Sequence, residues 1–267
     1  MDVPNTEQVV QSTAFKTFAR AGFVARGAVY TLVGALAVCL ALGIGGKTTN
    51  QQGALETVAR QPFGHVLLIA VAAGLAGYSL WRLVRAALGR GPEAGEDSLI
   101  DRVAAFGSGA FYGVLAYGAI EILMAGHAAG GNISKKSAGI LGWPGGQEIL
   151  GAIGVVLLVI GGYQGYRAVT TEFLDDAKTG EMSDQTQHVF STLAVIGHLA
   201  RMVVFGLVGV FLLVAAVQYD PQKAVGLGGV LARLLRQPGG SELMGVVAAG
   251  LVAFGVYSAA DARYHRL

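Results

Sequence analysis

Four side chains could do chemistry in an otherwise apolar chain: Arg26, Glu121, His198 and Arg201. Glu121 is an acid inside a long apolar stretch. An ionisable group held in that setting marks an ion or proton pathway, unless it lies close enough to an end to reach water. Arg26 and Arg201 each introduce an uncharged run. A guanidinium there either contributes to a basic vestibule for anions or anchors a helix by reaching for the headgroups. His198 and Arg201 share a helix face three residues apart, a weak pairing.

Other chemistries lack their residues. His65, His127, His188, His198 and His265 show no metal-ligand spacing, so no metal site is expected. The single cysteine, Cys39, allows neither an internal disulfide nor a thiolate site. There is no HExxH pair, no P-loop, no nucleophile elbow and no Glu-x-x-His pair. The expectation is a chain that is not an enzyme, with no catalytic residue and no cofactor. A net charge of +2 without a basic stripe leaves no nucleic-acid partner to expect.

The elements that carry these residues are membrane spans. The 267 residues are 53% hydrophobic and only 13% charged, against about 25% charged in soluble domains. The mean hydropathy is +0.56, and the expected surroundings are lipid. Six runs reach or nearly reach the roughly 20 apolar residues that a crossing helix needs. They are Gly27–Gly46, Phe63–Trp81, Val103–Met124, Ile149–Tyr166, Met202–Tyr219 and Leu243–Ala260. The first 22 residues are too polar for a secretory signal, so the first run reads as a retained span. Twelve of the 19 Lys and Arg residues fall on the side of the N-terminus, which predicts both termini in the cytoplasm. Trp81, Tyr163, Tyr166 and Tyr257 then fall at the inner interface, where an aromatic belt is expected.

The spans repeat. An offset of 82 places Arg26-Gly-Ala-Val-Tyr30 on Ser108-Gly-Ala-Phe-Tyr112, and an offset of 175 places Arg26 on Arg201 and Tyr30 on Phe205. Counted from Pro62, Pro144 and Pro238, the nineteenth residues are Trp81, Tyr163 and Tyr257. Four further on stand Arg85, Arg167 and Asp261. The chain is therefore read as all-α, three tandem parallel helical hairpins with a pseudo-threefold axis along the membrane normal. Residues 1–17 form an N-terminal segment, with repeats at 18–88, 102–169 and 191–267. Acidic linkers occupy 89–101 and 170–190. Each proline is expected in the first turn of the second helix of its hairpin. Ala54–Arg60, Ser137–Leu141 and Gly228–Arg236, just before the prolines, are short surface helices or plain loops. Ser98-Leu-Ile-Asp101 fits a capping box for the third span. Tyr30, Tyr112 and Phe205 line the axis or pack between repeats. Gly109/Gly113 and Gly161/Gly165 have the spacing of close helix contact.

The Ala25-Arg26-Gly27-x-x-Tyr30 opening and the Gln61-Pro-Phe-Gly64…Gly77-Tyr-Ser-Leu-Trp-Arg-Leu-Val-Arg-Ala86 hairpin resemble a family of bacterial integral membrane proteins. That family carries three tandem copies of a two-helix domain of unknown function. The resemblance runs from Phe18 to Arg263 and implies six membrane helices in a bacterial cytoplasmic membrane. It implies no activity. The second repeat departs from it, with Ser108 where the others have arginine.

Two functions fit. One is a non-enzymatic scaffold or accessory membrane protein, whose partners are the lipid bilayer and either another membrane protein or further copies of itself. The other is a small-solute or ion transporter with its pathway along the pseudo-threefold axis. Mitochondrial carriers share the plan of three two-helix repeats, but their Pro-x-[Asp/Glu]-x-x-[Lys/Arg] signature is missing from this chain.

Overall fold

The computed structural model describes residues 13–44, 51–60, 64–88, 99–125 and 133–266. Six long helices are α1 (Thr13–Ala41), α3 (Gly64–Leu88), α4 (Leu99–Ala125), α6 (Gly146–Thr170), α7 (Asp184–Val217) and α9 (Gly240–Tyr264). Each is long and apolar enough to cross a membrane. Three short helices precede the even spans: α2 (Gln51–Ala59), α5 (Ile133–Leu141) and α8 (Leu227–Leu235). The N-terminal part of α1 meets the C-terminal end of α9 on one face, called here the terminal face, where the His265 ring lies 4.7 Å from Phe23. The opposite face carries the short helices.

The Pro-Gly signal ends a helix rather than starting one. In Trp143-Pro144-Gly145-Gly146 the Gly146 N–H donates to the Trp143 carbonyl at 2.9 Å. Gly145 has φ 73 and ψ 10, the left-handed third position of a type II turn with proline second. Gln237-Pro238-Gly239-Gly240 repeats this turn, with a 2.8 Å bond and Gly239 at φ 68. Pro144 and Pro238 thus sit two residues before their spans, outside the first turn. Residues 61–63, the first copy of the motif, lie outside the described residues, as does Ser98 of the expected capping box. The stretches before the prolines are helical because each has an apolar stripe to bury. In α8 this stripe is Leu227, Val230 and Leu231.

Helix α7 starts inside the stretch assigned to the second linker. The Ser183 hydroxyl caps it by accepting from the Thr186 N–H at 3.3 Å. Its 34 residues extend about 51 Å at 1.5 Å per residue. That exceeds the roughly 30 Å that crossing the hydrocarbon of a bilayer requires.

The strongest packing runs between repeats: α3 on α4, α6 on α7, and α9 on α1. One contact recurs in each. Ser79, Gly161 and Gly255 lie 17 residues after the three prolines and face Gly113, Gly206 and Thr31. A Cβ on Gly113 would stand 3.0 Å from Ser79 Oγ, one on Gly161 3.1 Å from Gly206 N, and one on Gly255 2.7 Å from Thr31 N. The paired GxxxG glycines therefore serve close approach between repeats.

Within a repeat the symmetry fails once. Helices α1 and α3 pack on each other, as do α7 and α9, but α4 and α6 make no comparable contact. In the closed repeats a Cβ on Gly22 would lie 2.8 Å from Gly74 O, and one on Gly197 2.6 Å from Phe254 Cα. Gly74 and Gly250 make the return approach to Ala25 and Ala200. Repeat 2 has Ala104 for Gly22 and Val156 for Gly74 in the sequence, and its hairpin stands open. Val156 is 55% exposed, and nothing lies within 4 Å of a Cβ on Gly107.

The closed seams predict opposite effects for equivalent substitutions. Gly22→Ala overpacks α1 against α3 and costs about 1–3 kcal/mol. Gly107→Ala meets open space and gains about 0.5–1 kcal/mol from helix propensity. Thermal unfolding in one detergent checks both, and equal losses would contradict the open seam.

Candidate functional site: a buried arginine cluster

Arg26 is 4% exposed and does not reach for headgroups. Its Nε donates to Ser258 Oγ at 2.7 Å, and one terminal nitrogen donates to the Tyr78 hydroxyl. The other stands 3.5 Å from an Asp261 carboxylate oxygen. Ser258 in turn donates to the Phe23 carbonyl at 2.9 Å. The guanidinium lies over Phe23, Tyr78 and Phe254 at 4.9, 4.8 and 5.2 Å. Spans α1, α3 and α9 thus converge on one cation. Arg82 also donates to the Tyr78 hydroxyl, at 3.0 Å.

Arg201 enters from α7. Its guanidinium lies 4.3 Å from Phe254, 5.2 Å from Phe205 and 5.5 Å from Tyr30. It has no acidic partner among the described residues, and its buried Nε makes no hydrogen bond. Tyr30 and Tyr112 are each 2% exposed, and both hydroxyls lack a partner. They face inward as repeat equivalents, while Phe205 is half-buried beneath Arg201. His198 is also buried, with Nδ1 donating to Gln164 Oε1 at 2.6 Å and its ring stacked on Phe173.

The terminal face is closed by the connector between α6 and α7. Phe173 and Ala177 are fully buried. Asp176 Oδ1 meets Arg85 at 3.3 Å and Oδ2 meets Arg167 at 2.8 Å. The backbone joins the C-terminus, with Lys178 N–H donating to Tyr264 O at 2.7 Å and Arg266 N–H to Asp176 O at 2.9 Å. This clasp draws Trp81 and Tyr257 away from the expected aromatic belt. Trp81 packs on Phe23 and His265, and Tyr257 on Phe173 and His198. Tyr166 remains outward, 54% exposed.

Of the four residues singled out in the sequence, Arg26, Arg201 and His198 gather around Phe254. Glu121 does not join them. It is half-buried near the end of α4, about 20 Å along that helix from Ser108, the counterpart of Arg26. Tyr78, Ser258, Asp261, Gln164 and Asp176 complete the cluster and did not stand out. The available signal was the change from Arg85 and Arg167 to Asp261 at one repeat position, which sets an acid where α9 meets α1.

Asp261→Ala leaves Arg26 buried without its carboxylate and costs about 3–5 kcal/mol, whereas Arg26→Met with Asp261→Leu recovers most of that loss. Thermal unfolding checks both, and an unchanged midpoint for Asp261→Ala would contradict the buried pair. Asp176→Ala removes charge-assisted bonds worth about 1.5–3 kcal/mol each. It should speed amide exchange across residues 172–182 while the middle of α9 stays protected; unaltered exchange would show that the carboxylate does not hold the clasp.

The chain matches the family model described as Domain of Unknown Function (DUF1206) three times, at residues 21–89, 103–171 and 196–265. It is 31% identical over 253 residues to "Uncharacterized protein YxxB" of Bacillus subtilis (strain 168), covering 94% of this chain and 92% of the relative. No solved structure matches. With its three tandem copies, the chain belongs to the DUF1206 family.

Proposed function

We propose that the chain is a non-catalytic accessory protein of a bacterial cytoplasmic membrane, with both termini in the cytoplasm. In this reading repeats 1 and 3 form a closed body, and repeat 2 offers its open side to another membrane-spanning helix. The observation that carries the reading is the unclosed seam between α4 and α6, where Gly107 and Val156 replace a packed pair. Equivalent seams accept a helix against glycine, so the occupant should present small residues. The partner is a spanning segment of another membrane protein or of a second copy. The acidic connector contributes less than its charge suggests, because Asp176 is bound to the chain's own arginines. Asp175, Glu181 and Asp184 remain exposed to solvent.

Transport of an anion along the axis is the second reading, favoured by the inward-facing Arg26 and Arg201. Against it stand the Tyr78–Tyr112 edge-to-face pair at 4.8 Å and the clasp over the terminal face.

A photo-crosslinking residue at Val156 in native membranes tests the first reading, with Val246 on the outer side of α9 as control. The expected result is one discrete protein adduct from position 156, with a spanning segment identified by mass, and lipid adducts alone from position 246. Lipid adducts alone at both positions would overturn the partner reading. Anion flux through proteoliposomes of the pure chain would favour the second.

A further inference from the structure

We propose that the middle of the bundle holds one small oxyanion, a phosphate or carboxylate, between Arg201, Tyr30 and Tyr112. These residues come from α7, α1 and α4, the first span of each repeat. Arg201 Nε and the hydroxyls of Tyr30 and Tyr112 are all buried without a hydrogen-bond partner. Arg201 lies over the Tyr30 ring; the Tyr112 ring packs 4.8 Å from Tyr78, which holds Arg26, and Arg26 and Arg201 both lie over Phe254, so the three open positions border one region.

Their chemistry selects the ligand. A guanidinium only donates, and a phenol hydroxyl has a proton to donate. Three unfilled donors from three helices call for a group rich in acceptors. Charge points the same way. Around this centre lie Arg26, Arg82 and Arg201; Asp261 pairs with Arg26, and neither Arg82 nor Arg201 has a carboxylate partner among the described residues. Asp176 is engaged by Arg85 and Arg167. A cation away from bulk water needs a counter-charge. Water would satisfy the hydroxyls but leave the half-buried Arg201, whose Nε is buried without a partner, with no carboxylate among the described residues. An oxyanion satisfies both demands, and its phosphate or carboxylate chemistry is shared by a free ion and an acidic lipid headgroup. The site needs no helix at the open seam, so it stands or falls separately from the accessory reading.

The test uses the full chain in phosphate-free detergent. In one arm inorganic phosphate is titrated calorimetrically. In the other, the chain is reconstituted in phosphatidylcholine vesicles with and without phosphatidylglycerol, and retained lipid is read by native mass spectrometry. One phosphate per chain in the first arm assigns a free anion; one phosphatidylglycerol retained in the second, with no phosphate binding, assigns a headgroup. Either supports the site. Tyr30→Phe and Tyr112→Phe keep the rings and should each weaken binding about tenfold, the effect of one lost bond to a charged group. Arg201→Gln should abolish it. The phenylalanine variants keep the test decisive if Arg201→Gln fails to fold. The proposal is overturned if neither probe binds at one per chain, or if the double phenylalanine variant binds as tightly as the unaltered chain.

Discussion

A guanidinium placed between helices in a membrane must have its charge answered inside the protein, because lipid supplies neither water nor a counter-ion. Arg26 meets that constraint by drawing a carboxylate, two hydroxyls and three aromatic faces around itself. Apart from Phe23 on α1 itself, those partners belong to α3 and α9, so compensating one charge fixes how the first, second and last spans meet. The closure of α9 onto α1, the last span onto the first, follows from it. Arg85 and Arg167 meet the same constraint nearer the terminal face, and there the acid comes from a connector.

Small residues set how closely this can happen. Hydrophobic burial does not drive helices together in lipid, so backbone proximity and directed polar contacts must. The same approach appears at Ser79–Gly113, Gly161–Gly206 and Gly255–Thr31, which gives the pseudo-threefold order its physical content. Repeat 2 keeps its contacts to both neighbours and loses the one between its own helices. The isopropyl group of Val156, where the other repeats have glycine, accounts for that loss. The asymmetry lies in the repeat that also lacks the arginine, having Ser108 in its place.

Much of this order was legible in the sequence. Length and hydropathy bounded the six spans, since the bilayer fixes how long an apolar helix must be. Constant offsets from the prolines exposed the repeats and placed Tyr30 with Tyr112. The turn chemistry was half legible: Pro144-Gly145 and Pro238-Gly239 marked the boundary, but the left-handed glycine and not the proline sets where the helix begins. Partnership across the fold was not legible. Asp261 looked like a broken match to Arg85 and Arg167, and only the packing of α9 on α1 makes it the counter-ion of Arg26. Asp176 looked like one acid among several in a polar linker. Glu121, the conspicuous acid, is far from the cluster, because position along a span says nothing about what lies across from it.

Oxidative crosslinking in native membranes tests the central claim, that repeats 1 and 3 are closed and repeat 2 is open. With Cys39 replaced by serine, cysteine pairs are placed at three equivalent positions: Ala25 with Gly74, Gly107 with Val156, and Ala200 with Gly250. A Cβ on Gly74 would lie 2.8 Å from that of Ala25, and one on Gly250 2.5 Å from that of Ala200; slight separation brings both into disulfide range. The first and third pairs should form intramolecular disulfides and the second should not. A disulfide between positions 107 and 156 as efficient as the other two would contradict the account.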